Sequence, residues 1–302
     1  MMIGKLLKRL IIFLLPILLG FCVLEYFLRA IPNDYSYKKE YLEEHAEDIE
    51  LLILGNSHYY RGILAEDLDI NSFNAAYISQ SLDLDFLIFN KYKNKLVNLR
   101  YLVVGVSFPS LFYSLETSTE SWRLKNYNLY YDFHITHNPK NYYEILSNTF
   151  DVNKKKIINY YYHNYTPLTQ SRLGSGIAKK QKDLNKTGIA AAKRHTDTTL
   201  PFYKEYIKEL GKIIDYSKEN DIKIILVTTP TYHTYSDNLN MQQLSLMNHL
   251  LDSFSKNNQN VYRVGYLKDK NFTKEDFYDG DHLRLQGAKK FTKILNQKLD
   301  SL

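Results

Sequence analysis

Ser57, Asp279 and His282 are the residues whose types and placement could do covalent chemistry in this chain. Ser57 stands just past the apolar run Leu51–Leu54 and Gly55-Asn56, within LLILGNSHYYRGI. That pattern predicts a buried strand delivering a serine into a turn, and such a hydroxyl becomes a nucleophile when an imidazole takes its proton. His282 lies near the C-terminus in FYDGDHLRLQGA, residues 277–288. Asp279, three residues before it in the same loop, can accept the imidazole's other N–H, the orienting role in a Ser-His-Asp relay. Each residue also has a plainer role. Ser57 could cap the helix after the strand, and Asp279 and His282 could cap the last helix or tie their own loop. A metal site of Asp279, Asp281 and His282 is a further alternative, but no other His or carboxylate cluster is placed to complete it. No metal and no cofactor are expected.

Elements must carry these residues to one place. Glu50–Leu54 predicts the first strand, Tyr101–Val106 the second, Ile222–Thr229 the third and Val261–Tyr266 the fourth, with a short extended stretch at Asn71–Ala76. Helical patterns fall between them: Leu82 to about Leu96, Pro201–Asn220 with Pro201 in the first turn, Asn240–Ser255, and Leu285 to the end. Strands alternating with helices predict an α/β, doubly wound, three-layer parallel sheet of flavodoxin-like kind. Chemistry in such sheets gathers at the carboxyl ends of the strands. Ser57 after the first strand and His282 after the last both meet that requirement.

At about 110–200 the alternation breaks down. This region holds the sole Trp122, many tyrosines from Tyr127 to Tyr165, and a basic stretch from Arg172 to Arg194. An insertion or lid is expected there, its aromatic rings and cations suited to sugar rings or an anionic polymer. The alternative is an excursion whose tyrosines pack a small core of their own. His58 is expected to support the Ser57 loop. Arg61 could meet an anionic substrate group or form a surface salt bridge, His233 after the third strand could line the pocket, and Trp122-Arg123 is ambiguous in the same way.

The N-terminus sets the compartment. Leu10 to Leu28 is a 19-residue stretch, apolar but for Glu25, preceded by Lys5, Lys8 and Arg9. It is just long enough to cross a bilayer, and the basic residues predict a cytoplasmic N-terminus with the rest of the chain outside. A cleaved signal peptide is the competitor, but there is no small-x-small cleavage site and Phe21 before Cys22 is too bulky for a lipoprotein box. The expected organisation is a signal anchor at 1–30, a polar juxtamembrane stalk at 31–49, helical around 37–45, and an α/β domain at 50–302. The charge of +6, from 39 Lys+Arg against 33 Asp+Glu, partly reflects the basic N-terminus, and nucleic acid is not an expected partner for an exported domain. Cys22 is the only cysteine and lies in the apolar stretch, which leaves no disulfide or thiolate site in the exported part.

These blocks resemble the SGNH (GDSL-type) hydrolase superfamily. Gly55-Asn56-Ser57-His58 stands where that family has its Gly-Asp-Ser block, Asp279-Gly-Asp-His282 where it has Asp-x-x-His, and Gly287 matches its following glycine. The resemblance covers about 50–302 and implies Ser57 as nucleophile, His282 as general base and Asp279 as its orienting acid. Two family positions differ. Ser79 stands for the second-block glycine in Asn74-Ala-Ala-Tyr-Ile-Ser79-Gln80-Ser81, and Ser107 for the asparagine of the Gly-x-Asn block. Ser79 through its backbone N–H, Ser107, Gln80 and Asn56 are the candidate oxyanion or substrate-binding residues. With the anchor, the chain is similar to the membrane-bound members that acylate bacterial exopolysaccharide, capsule or teichoic acid.

The expected function is a membrane-anchored serine esterase or O-acyltransferase working on acyl, expected to be acetyl, esters of an extracytoplasmic glycan or glycopolymer, with a membrane-bound acyl-donor protein as a possible partner. Two alternatives stand beside it: a non-catalytic member of the fold that binds polymer or a membrane partner, and a structural envelope protein in which Ser57 and His282 never meet.

Overall fold

The computed structural model describes residues 2–196 and 204–302, so Pro201, expected in a first helical turn, lies outside the described residues. The chain forms two compact units, one of residues 1–40 with 119–168 and one of 41–118 with 169–302.

In the first unit, α1 (Met2–Arg29) holds a stretch, Ile3–Arg29, long and apolar enough to cross a membrane. α2 begins at Asp34, where Asn33 Oδ1 caps it by accepting from the Tyr35 and Ser36 amides at 3.0 Å each. α5 (Leu124–Tyr130), α6 (Glu144–Ser147) and α7 (Phe150–Ile157) complete this unit's α-helices. Its tyrosines do pack a core: Tyr35, Tyr127 and Tyr131 are buried, with ring centroids 5.2 and 5.9 Å apart in sequence. The same unit holds a buried ion pair, Lys125 Nζ to Glu144 Oε2 at 3.0 Å.

The second unit is a sheet of five parallel strands, β1 (Leu51–Leu54), β2 (Ser72–Asn74), β3 (Tyr101–Gly105), β4 (Lys223–Thr228) and β5 (Val261–Gly265), in the order β2-β1-β3-β4-β5. β1 and β3 are buried along their whole lengths, the pattern of a parallel sheet covered on both faces. The extended stretch at 71–76 proves to be a full sheet member. With three residues, β2 is too short to declare itself by periodicity. Flanking helices are α4 (Leu82–Tyr92), α9 (Lys204–Glu219), α11 (Met241–Asn257) and α12 (Leu285–Asp300), with the short α10 (His233–Ser236) between β4 and α11. α4 packs on α9, and α12 packs on α3 (Ser57–Gly62). This is the α/β three-layer fold expected from the sequence.

The structure adds detail to two expectations. The polar segment at 31–49 is helical, as expected around 37–45, but it is also packed: α2 runs to His45, Leu42 and Ala46 are buried, and Tyr41 stacks on Phe73 at 4.2 Å between ring centroids. The irregular region at 110–200 is divided. Residues 119–168 belong to the first unit, whereas α8 (Leu184–His195) is built into the sheet unit, burying Leu184, Ala191 and Ala192. A stretch rich in Lys and small residues hides this helix, because its buried face is mostly alanine and glycine.

Candidate active site

The strand order reverses at β1, between β2 and β3, which is where open α/β sheets hold their sites. Three residues beyond β1, the chain turns sharply into α3. Gly55 has φ +138, and a Cβ there would stand 2.4 Å from the Tyr59 ring, so only glycine fits. Tyr59 is anchored by its hydroxyl donating to Val227 O at 2.8 Å. Asn56 caps α3 by accepting from the His58 amide at 3.1 Å. Ser57 is thereby the first residue of α3, and among the described residues its amide N–H has no acceptor, as expected of a first-turn donor.

The DGDH loop enters from the other end of the chain. Ser57 Oγ lies 2.7 Å from His282 Nε2, and His282 Nδ1 lies 2.8 Å from Asp279 Oδ1. The same Asp279 oxygen accepts the His282 amide at 3.0 Å, fixing the loop that holds the ring. The structure therefore joins Ser57, His282 and Asp279 in one line, although 225 residues separate serine from histidine.

A second carboxylate stands behind the first. Asp281, only 3% exposed, has Oδ1 3.4 Å from His282 Nδ1 and Oδ2 3.5 Å from His58 Nε2. Burial works against a charged His282, but the negative charges of Asp281 and Asp279 and their hydrogen bonds override it and push its pKa up to about 9. His58 goes the other way: burial lowers it despite Asp281. Burial also takes His195 down to about 3, and its Nδ1 is paired with the Tyr235 hydroxyl at 2.9 Å. The surroundings thus favour the charged form of His282 and the neutral forms of His58 and His195. Among the described residues, His58, Asp281 and His282 place donor atoms within 4.8 Å of one another and could hold a metal ion. Both His282 ring nitrogens, however, already face Ser57 and Asp279.

The residues considered for the oxyanion are placed differently. Ser79 has φ +57, the left-handed conformation that explains why a glycine suits this position. Gln80 is buried and donates both amide hydrogens, to Ala75 O at 3.2 Å and Asp85 Oδ1 at 2.6 Å. Ser107 is buried as well. Its hydroxyl accepts from Asn56 Nδ2 at 2.6 Å and meets Ser110 Oγ at 3.0 Å. Asn56, Gln80 and Ser107 therefore tie the loops after β1, β2 and β3 together instead of presenting a ready side-chain donor. Asp85, which the sequence reading passed over, is the hub of this tie, since Gly55 N also donates to its Oδ1 at 2.8 Å. Its only signal was an acid on the apolar face of α4.

The remaining candidates lie elsewhere or act structurally. His233 is exposed and faces Asp237 at 3.9 Å. The Arg61 guanidinium stands 5.2 Å from the Tyr278 ring centroid, a cation–π contact. In the first unit, Arg123 stacks on Trp122 at 4.3 Å and pairs with Glu120. The close support of the DGDH loop by α8 was missed altogether. Gly280 N donates to Thr187 Oγ1 at 2.9 Å, and Gly280 touches Gly188 so closely that a Cβ would come within 2.1 Å of its Cα.

This α/β chain carries a serine after its first strand and Asp279-x-x-His282 after its last, the two blocks on which the resemblance to the SGNH (GDSL-type) hydrolases rests. No protein-family profile matches the chain, and no curated protein does. Among solved structures, a protein assigned as an acylhydrolase from Bacteroides fragilis NCTC 9343 is 11% identical, aligned over 86% of this chain and 94% of that one with a TM-score of 0.43. A GDSL-like lipase from Bacteroides thetaiotaomicron VPI-5482 is 11% identical over 88% and 98%, TM-score 0.44. A Streptococcus pneumonia protein assigned as a platelet activating factor is 11% identical over 99% and 98%, TM-score 0.43.

Proposed function

We propose that this chain is a serine esterase or O-acyltransferase, anchored by α1 in a bacterial cytoplasmic membrane with its N-terminus inside, that acts on acyl esters of an extracytoplasmic glycan or glycopolymer. The observation that carries the chemistry is the continuous line Ser57 Oγ–His282 Nε2 and His282 Nδ1–Asp279 Oδ1, at 2.7 and 2.8 Å.

In this reading Ser57 Oγ attacks the ester carbonyl while neutral His282 takes its proton at Nε2. Asp279 holds the other N–H and stabilises the imidazolium that forms. The Ser57 amide, pointing out of the first turn of α3, donates to the developing oxyanion. Collapse expels the alcohol, which takes the proton back from His282, and leaves an acyl-serine. Water or a sugar hydroxyl, deprotonated by His282, then resolves it, giving hydrolysis or transfer. The anchor supports a substrate at the membrane face, and the resemblance to envelope acylation proteins supports a glycan.

A second reading, a non-catalytic protein that binds surface polymer or a membrane partner, draws on one observation: Ser107, at the family's asparagine position, spends its hydroxyl on Asn56 and Ser110.

Detergent-purified full-length protein is expected to release acetate from a chromogenic acetyl ester, and Ser57→Ala to lower kcat by about 10⁴-fold or more. Equal rates for the two proteins would remove Ser57 from the reaction. Radiolabelled acetyl retained on the wild-type chain but not on Ser57→Ala would identify the acyl-serine even where hydrolysis is slow.

A further inference from the structure

Outside the active site, the first unit carries a cluster of exposed apolar side chains that its own packing does not explain. Phe150 and Tyr162 are 75% and 77% exposed, and Leu146, Val152, Ile158 and Tyr161 are exposed beside them along 146–162. Exposed apolar clusters of this kind mark interaction surfaces.

The contacts of this segment with α1 fix what it faces. Glu25 lies within the apolar length of α1, where an unpaired carboxylate would be costly. It is buried because its two oxygens accept the amides of Glu144 and Ile145, both at 2.9 Å, and Oε1 also accepts from Arg29 at 2.7 Å. Tyr143 meets the Phe21 ring edge-on at 5.8 Å, and Tyr161 meets Phe27 at 5.5 Å while its hydroxyl donates to Phe27 O at 2.9 Å.

These partners sit at a defined depth. From Leu10, after the last N-terminal basic residue, the 20 residues to Arg29 span about 30 Å as helix, the thickness of a bilayer's hydrocarbon core. Glu25 and Phe27 fall in the last two turns of that span, and Phe21 lies about 12 Å in from its C-terminal end. Side chains that touch them therefore lie within the leaflet at that end, and the exposed neighbours of those side chains face lipid. The same segment carries the exposed cations Lys154 and Lys155 and is rich in tyrosine, the composition of a membrane-interface belt.

Resting on the membrane-anchor reading, we propose that α6, α7 and the turn through Tyr162 form a collar embedded in the leaflet at the C-terminal end of α1, with Phe150 and Tyr162 in lipid and Lys154 and Lys155 at anionic headgroups. The collar makes the anchor a two-point attachment. A single helix would let the protein swivel, whereas a helix and a belt fixed to it hold the first unit at one depth in the bilayer.

The test uses the full-length chain with Cys22→Ser, reconstituted in protein-free vesicles of phosphatidylethanolamine and phosphatidylglycerol. A single cysteine at Phe150, Tyr162 or, within α1, Leu15 carries an environment-sensitive fluorophore. The expected result is a blue shift at all three, with quenching by a shallow doxyl lipid at Phe150 and Tyr162. Lipid-like emission at Leu15 with water-like emission at both collar positions overturns the collar and leaves the anchor standing, the outcome expected if this face instead meets a membrane protein. Water-like emission at Leu15 as well overturns the anchor itself.

Discussion

Asp281 Oδ1 lies 3.4 Å from His282 Nδ1, so the imidazole that holds Ser57 faces two carboxylates. Asp279 is aligned at 2.8 Å and also takes the loop amide, while Asp281 sits further off and reaches His58 with its other oxygen. The nearer acid orients the ring. The farther one chiefly adds charge.

That division predicts a pH profile. With Ser57, His58, Asp279 and Asp281 around it, His282 is pushed up to about 9, so the base is mostly imidazolium at neutral pH. The rate of Ser57 acylation should rise with pH and level off above about 9. Asp281→Asn removes the largest of the raising charges, so the midpoint of kcat/KM against pH should move down, with a gain of up to about tenfold at neutral pH for each unit moved. An unmoved midpoint would show that Asp281 leaves the base alone. Stability runs the other way with pH. A folded pKa above the unfolded value near 6.5 stabilises below that value and is lost as pH rises through about 9, and Asp281→Asn should flatten this alkaline decline.

Gly280→Ala tests the seat of the loop. Its Cβ would meet Gly188 Cα at 2.1 Å and N at 2.4 Å, both backbone atoms, so loop and helix must part. Overpacking of this kind costs about 1–3 kcal/mol. A shift of about 1 Å in Asp279 and His282 lowers kcat by roughly 10²-fold. Gly211→Ala in α9, where nothing stands within 4 Å, is the control and should melt at an equal or higher temperature. Unchanged kinetics in Gly280→Ala would show that α8 does not position the site.

Glu144→Gln probes the first unit. Burial alone raises the Glu144 pKa, but Lys125 and Lys156, at 3.0 and 2.9 Å, override it and bring it to about 2. The variant leaves Lys125 buried without its counter-charge, a loss of about 3–5 kcal/mol that thermal melting of the full chain in detergent would read. In the wild type this contribution is present above about pH 4.5 and vanishes as pH falls through about 2. A melting temperature unchanged in Glu144→Gln would assign the stability of this unit to its tyrosine core instead.

Much of this molecule is legible in one dimension. LLIL and YLVV are long apolar runs with no polar face, so they specify central strands of a covered parallel sheet before any contact is known. Gly55 and Ser57 declare a strand-end turn, and Asp279-x-x-His282 is local enough that the acid–base pair forms within one loop. Tertiary structure alone decided which loops meet. It brought Ser57 to His282 across 225 residues, set Asp281 against His58, and turned Gln80 and Ser107 from candidate donors into ties through Asp85 and Asn56. It also built α8 into the site, through a glycine contact that carries no hydrophobic signal. Periodicity reports the face a residue buries against its own element. A hydrogen bond between loops depends on where the sheet delivers both ends, and no spacing along the chain encodes that.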